Sequence, residues 1–147
     1  MPEVIGIDHI YVTVSDLARS ERFYDVVMKS LGFRRNEFEL EGEKHIQYHN
    51  RHFGYVLRPA RTIQAYDPYA PGLHHFCFRV EDEQQVKTAA NTIRAQGIQV
   101  TEARRFPEYA PDYFACFFSD PDGVRLEITN YRLERRRRHD DWETVEP

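Results

Sequence analysis

Two histidines and one glutamate draw attention in this 147-residue chain by their type and place. His9 lies in Ile7-Asp8-His9-Ile10-Tyr11-Val12-Thr13-Val14-Ser15-Asp16, and His75 in Leu73-His74-His75-Phe76-Cys77-Phe78-Arg79-Val80-Glu81-Asp82. Laid over each other 66 positions apart, the two segments match in apolar, polar and acidic type down the line. Glu127 is an acid in an otherwise mostly apolar stretch, Val124-Arg125-Leu126-Glu127-Ile128. Two imidazoles and a carboxylate suit a divalent metal. Three protein donors on one side leave the other positions open to substrate or dioxygen. Such a metal can act as a Lewis acid, lower the pKa of a bound water, or hold a substrate through two atoms. The donor types fit Fe, Mn, Zn or Ni and do not choose among them. Each residue alone also has an ordinary reading. A strand histidine is more often a hydrogen-bonded core or surface group, and Glu127 could pair with Arg125.

The elements that position these residues follow from periodicity. His9–Val14 alternates, with Ile10, Val12 and Val14 on one face and His9, Tyr11 and Thr13 on the other. Ser15 or Asp16 can cap a helix running to about Leu31, with an apolar stripe of Leu17, Phe23, Tyr24, Val27, Met28 and Leu31, ended by Gly32. Strands are expected over 33–40, 45–49 and 53–57, with turns at Gly42 and Asn50-Arg51. Residues 59–71, rich in proline, read as a linker. The second half repeats the order: a strand over 73–80, a helix over 82–96 closed by Gly97, and strands over 98–104, 113–119 and 124–130. Asp120-Pro121-Asp122-Gly123 makes the last tight turn. By alternation His75, Cys77 and Arg79 share one face, as do Arg125, Glu127 and Thr129. The adjacent His74 and His75 face opposite ways, so only His75 shares the register of His9. The helices cover the apolar faces, leaving a second face that bears two imidazoles and a carboxylate.

Other side chains could serve such a site. Tyr11, Tyr48, Tyr55 and Tyr113 could donate to an oxyanion, and Arg58, Arg79 and Arg125 could hold an anionic group. Of these, Tyr55, Tyr113 and Arg125 are the catalytic candidates. Aromatics are dense at Tyr66-Asp67-Pro68-Tyr69 and over 109–118. They could line a pocket for a flat apolar substrate or form a dimer surface. Cys77 and Cys116 read as reduced core or pocket residues. No phosphate-binding glycine loop or dinucleotide fingerprint is present.

Composition narrows the classes. The net charge of −4, from 20 basic and 24 acidic residues, gives no basic field for nucleic acid. No apolar run is long enough for a membrane span. Met1-Pro2-Glu3-Val4 lacks the layout of a signal peptide, so a cytoplasmic protein is expected. The apolar fraction, 41%, suffices for a core. The expected organisation is one domain over 1–131 (module one 5–59, linker 60–72, module two 73–131) with a charged tail over 132–147. That tail holds five arginines and five acids, so Arg135–Arg138 reads as a solvated terminus or subunit contact more than a nucleic-acid patch.

The arrangement resembles the vicinal oxygen chelate superfamily: glyoxalase I, extradiol dioxygenases, fosfomycin-resistance thiol transferases and bleomycin-binding proteins. Asp8-His9-Ile10 with its following helix and Leu31-Gly32-Phe33 end, residues 73–80, and Ser119–Ile128 carry the resemblance, which spans about residues 5–131. It implies an α+β fold of two tandem βαβββ modules whose curved mixed sheet encloses a metal and substrate pocket. It also implies His9, His75 and Glu127 as the ligands. Glyoxalase I-type members carry a fourth ligand on the last strand of the first half. Here that strand, Phe53–Arg58, has no acid or imidazole, which fits the three-ligand members better. The expectation is a divalent-metal-dependent homodimeric enzyme acting on a small oxygenated organic substrate chelated to the metal. Its reaction would be that of a lyase, dioxygenase or thiol transferase. The alternative is a metal-free, ligand-sequestering protein of the bleomycin-resistance type.

Overall fold

The computed structural model describes residues 1–145. The chain folds into two compact units. The first comprises 1–67 together with the short segment 120–124; the second comprises 68–119 and 125 onward.

Unit 1 begins with β1 (His9–Val14), where β-branched and aromatic residues alternate as a half-buried strand requires. Asp16 ends it and caps α1 (Leu17–Ser30), its carboxylate accepting from the Arg19 backbone N–H at 3.0 Å. Gly32, at φ +82°, turns the chain out of the helix. Three strands follow, β2 (Arg34–Leu40), β3 (Glu43–His49) and β4 (Gly54–Pro59). Glu41 and Gly42, both at positive φ, form the tight β2–β3 turn. The sheet order is β1-β4-β3-β2, with β1 parallel to β4 and the other pairs antiparallel. Tyr24, Val27 and Met28 of α1 are fully buried, and so are Val14, Ile46 and Leu57 of the sheet. Each such aliphatic burial is worth roughly 1.5–3 kcal/mol.

Unit 2 repeats the plan. β5 (His75–Val80) leads to α2 (Glu83–Ala95), capped by Asp82, which accepts from the Gln85 N–H at 2.9 Å. Then come β6 (Arg104–Arg105), β7 (Phe114–Ser119) and β8 (Arg125–Asn130), in the order β5-β8-β7-β6 with β5 parallel to β8. Val86, Ala89, Ala90 and Ile93 of α2 pack on the sheet face that carries Phe78, Cys116, Leu126 and Ile128. The fold is therefore α+β, built from two βαβββ modules, as expected.

Two differences from the sequence reading have local causes. The strand expected over 98–104 shrinks to two residues. Upstream of it, Thr101 Oγ1 accepts the Phe117 N–H at 2.9 Å while the Thr101 N–H donates to the Phe117 carbonyl. A side chain takes the place of a backbone partner there and ends the ladder. The tail is helical over α3 (Leu133–Asp140), followed by a 3₁₀ turn at Trp142–Thr144; residues 146 and 147 of the expected tail lie outside the described residues. Asp112 accepts the Leu133 N–H at 2.8 Å, and Arg136 pairs with Glu81 at 2.5 Å. Among the described residues no helix is long and apolar enough to cross a membrane.

Candidate metal centre

Parallel pairing puts the two halves in the same register. In unit 1 His9 stands beside Gly54 and Tyr11 beside Val56; in unit 2 His75 stands beside Arg125 and Cys77 beside Glu127. The face away from α2 thus carries a row His75–Arg125–Ser119 and, one pleat on, a row Cys77–Glu127–Phe117. Val56 is the counterpart of Glu127, so module one contributes an aliphatic group where module two contributes a carboxylate.

Unit 2 brings His75 and Glu127 together: Nε2 lies 3.6 Å from Oε2. Glu127 is 3% exposed. Its other carboxylate oxygen accepts the Tyr113 hydroxyl. Among the described residues no lysine or arginine reaches the Glu127 carboxylate within 4 Å. A carboxylate so deeply placed, without a full cationic partner, is costly. Burial, and then the hydrogen bond to Glu127, hold the Tyr113 hydroxyl well above the usual phenol range, so at neutral pH it is a donor. Cys77, across the sheet from Glu127, is likewise pushed up by burial and then by the carboxylate's charge. It is a neutral thiol.

The two histidines share a further feature. The Asp8 carboxylate lies 2.6 Å from His9 Nδ1, and His74 Nδ1 lies 2.8 Å from His75 Nδ1. In each half the preceding side chain occupies Nδ1 and leaves Nε2 to bind something else, which is how an imidazole is oriented toward a metal. Here the sequence reading needs correcting. His74 does not face away from His75, because it precedes the first residue of β5 and strand alternation does not govern it.

His9 lies in unit 1, in an open groove of about 390 Å³ lined also by Tyr11, Phe38, Gln47, His49 and Gly54. Gly54 keeps that groove clear, since a Cβ there would meet Gln47 Nε2 at 3.3 Å and His9 Cβ at 3.5 Å. His75, Glu127, Tyr113 and Arg125 line a groove of about 640 Å³ in unit 2. Among the described residues no three His, Cys, Asp or Glu side chains converge closely enough to hold a metal ion.

Tyr55 joins neither groove. Register pairs it with Ile10, so it shares the apolar face and is fully buried, its hydroxyl donating to Tyr24 at 3.1 Å. Tyr24 in turn donates to Asp120 at 2.8 Å. Tyr48 lies on the same face and donates to Asp25 at 2.7 Å. Arg58 is tied to Glu43 at 2.8 Å, and Arg79 lies over the Tyr131 ring at 4.1 Å. Of the aromatics over 109–118 expected as pocket lining, Tyr109, Tyr113, Phe117 and Phe118 line the unit 2 groove, and Phe117 is the register partner of Glu127 across the β7–β8 turn; Thr101 and His74, which also line it, carry no such signal in the sequence.

A repeated βαβββ unit with a histidine opening each half and a glutamate on the last strand defines a class of protein. Residues 6–128 match the profile of the Glyoxalase/Bleomycin resistance protein/Dioxygenase superfamily, and the chain belongs to it. It is 30% identical over 129 residues to the uncharacterized protein YqjT of Bacillus subtilis, covering 82% of this chain and 94% of that one. A glyoxylase/bleomycin resistance protein/dioxygenase domain from Frankia superposes with a TM-score of 0.73 at 22% identity, over 88% of this chain and 100% of that one. The fosfomycin resistance protein FosX of Listeria monocytogenes does so at 0.65 and 19% identity, over 91% and 99%. At these identities the two structures speak for the fold.

Proposed function

We propose that this protein is a divalent-metal-dependent enzyme of the glyoxalase/dioxygenase type, working as a homodimer on a small oxygenated organic substrate, with His9, His75 and Glu127 holding the metal. The observation that carries the reading is the Glu127 carboxylate: nearly buried, 3.6 Å from His75, and without a lysine or arginine partner among the described residues. A cation there offsets its desolvation. The donor chemistry fits as well, because both imidazoles have Nδ1 engaged and Nε2 available. Divalent metals are common in the superfamily. Val56, standing where a fourth donor would, keeps the set at three.

Bound there, a divalent ion supplies Lewis acidity to neighbouring oxygens of a substrate. The chain's own residues do the rest. Asp8 and His74 fix the ring orientation and tautomer of His9 and His75. Tyr113 donates to Glu127 and keeps that carboxylate pointing one way. Arg125 holds an anionic part of the substrate, and the neighbouring aromatic rings keep water off it.

Metal analysis of the purified chain after divalent supplementation tests the reading. Stoichiometric uptake is expected, lost in His75→Ala and Glu127→Ala and reduced in His9→Ala. Tyr113→Phe, which removes only the donor to Glu127, is expected to weaken affinity by about 10–100-fold. Wild-type occupancy in all three alanine variants refutes the ligand set. A chain that takes up no divalent ion is instead a metal-free ligand binder.

A further inference from the structure

Arg125 is the arginine that lines the unit 2 groove. Among the described residues no carboxylate lies within 4 Å of Arg125. Its guanidinium is held instead by Tyr69, whose hydroxyl accepts from Nη1 at 3.2 Å and whose ring centroid lies 5.2 Å from Cζ. A single hydrogen bond leaves most of the five guanidinium N–H groups in a fixed fork, unneutralised and lining the groove. Across the groove, the rings of Tyr109, Phe106, Phe117 and Tyr113 form one cluster. Phe106 stacks on Tyr109 at 5.5 Å and 12°, meets Phe117 edge-on at 5.3 Å, and Tyr109 meets Tyr113 edge-on at 5.3 Å. Phe117 and Tyr109 line the groove itself. Phe117 sits one pleat along and one strand across from Arg125, about 8 Å apart by ordinary strand spacing. A single small molecule can reach both.

We propose that the unit 2 groove takes a planar, aromatic carboxylate, its carboxylate on the Arg125 fork and its ring against Phe117 and Tyr109. The proposal rests on the reading above in which this groove is the substrate site, and it names the substrate class. Glu127 does not compete for Arg125, because its oxygens face Tyr113 and His75. A charge-assisted pair discriminates an anion from its neutral isostere, and the aromatic wall discriminates a ring from a small aliphatic acid.

The test is titration of the full chain with benzoate, benzamide and acetate, by calorimetry or NMR, with metal content measured in parallel and after chelation. Benzoate is expected to bind about tenfold or more tighter than either control, whether or not metal is present. Arg125→Gln should bring benzoate to the benzamide level. Phe117→Leu should weaken benzoate and benzamide alike and leave their ratio intact. Equal binding of benzoate and benzamide, no saturation by benzoate, or a ratio that survives Arg125→Gln overturns the proposal. If the ratio holds in a chain that never takes up metal, the metal reading fails and this one stands; full occupancy without the ratio is the reverse.

Discussion

Alkaline pH should unfold this protein steeply, and much of the slope follows from three rings. Tyr24, Tyr48 and Tyr55 are each fully buried behind the unit 1 sheet. Burial, the largest cause in each case, raises all three hydroxyls well above their ordinary value of 10.0. The hydroxyl bonds to Asp25 and Asp120 further hold Tyr48 and Tyr24 protonated. The folded pKa values lie above the unfolded one, so this contribution to stability is complete below about pH 10 and is lost as pH rises toward the folded values. In that window the unfolded chain has released these three protons, which the folded chain keeps, and they alone lower stability by about 4 kcal/mol per pH unit, to which the raised Tyr113 hydroxyl adds. A domain of ordinary stability, about 5–15 kcal/mol, is exhausted within roughly one to four units. Tyrosinate absorbance followed beside circular dichroism should therefore show these three tyrosines, and the raised Tyr113 with them, ionising only as the fold is lost, four of the nine in the chain. In Tyr55→Phe the count falls to three and the slope by about 1.4 kcal/mol per pH unit, at a cost near pH 7 of about 0.5–1.5 kcal/mol for one hydrogen bond. Metal uptake and benzoate binding should be unchanged, since Tyr55 reaches neither groove. Complete tyrosine titration near pH 10 with the native circular dichroism intact, or loss of binding in Tyr55→Phe, would refute the placement.

Two other outcomes follow from the packing. The Asp120 carboxyl is raised chiefly by burial, against the opposing hydrogen bonds from Tyr24 and the backbone of Val124 and Asp122. Its contribution is thus complete below the ordinary carboxylate range and lost as pH rises through the folded value. Urea midpoints should move in favour of Asp120→Asn, relative to wild type, between about pH 3 and pH 7; a shift the other way contradicts this. Ile93→Ala, which empties a fully buried position under α2, should cost about 2–5 kcal/mol in chemical denaturation while leaving β5 and β8 paired.

Much of the architecture was legible in the chain because it is written twice. The cap aspartates at 16 and 82, the glycines at 32 and 97, and the histidines that open β1 and β5 are local signals at matched spacing, and each acts within a few residues of itself. Alternation also placed His75, Cys77 and Arg79 with Arg125, Glu127 and Thr129, because a strand's period of two is a property of its own backbone. It misled where its premise failed. His74 lies outside β5, so nothing obliges its ring to oppose that of His75.

Tyr55 and Tyr48 show the limit more sharply. The run Gly54-Tyr55-Val56-Leu57 is apolar on both parities, so no alternation within it reveals which way a ring points. Pairing of Tyr55 with Ile10 and Tyr48 decides that, and pairing is a contact between segments distant in the chain. The same holds for Glu127. Its residue type and strand were readable, but its burial, its hydroxyl donor from Tyr113 and its distance to His75 come only from β5, β7 and β8 lying side by side. By itself, then, the sequence determined the duplicated modules, their helix ends and the faces on which donors stand, since these depend on neighbours along the chain. Tertiary structure decided which hydroxyls are sealed in the core and which groups meet, because register and desolvation exist only once distant strands are paired.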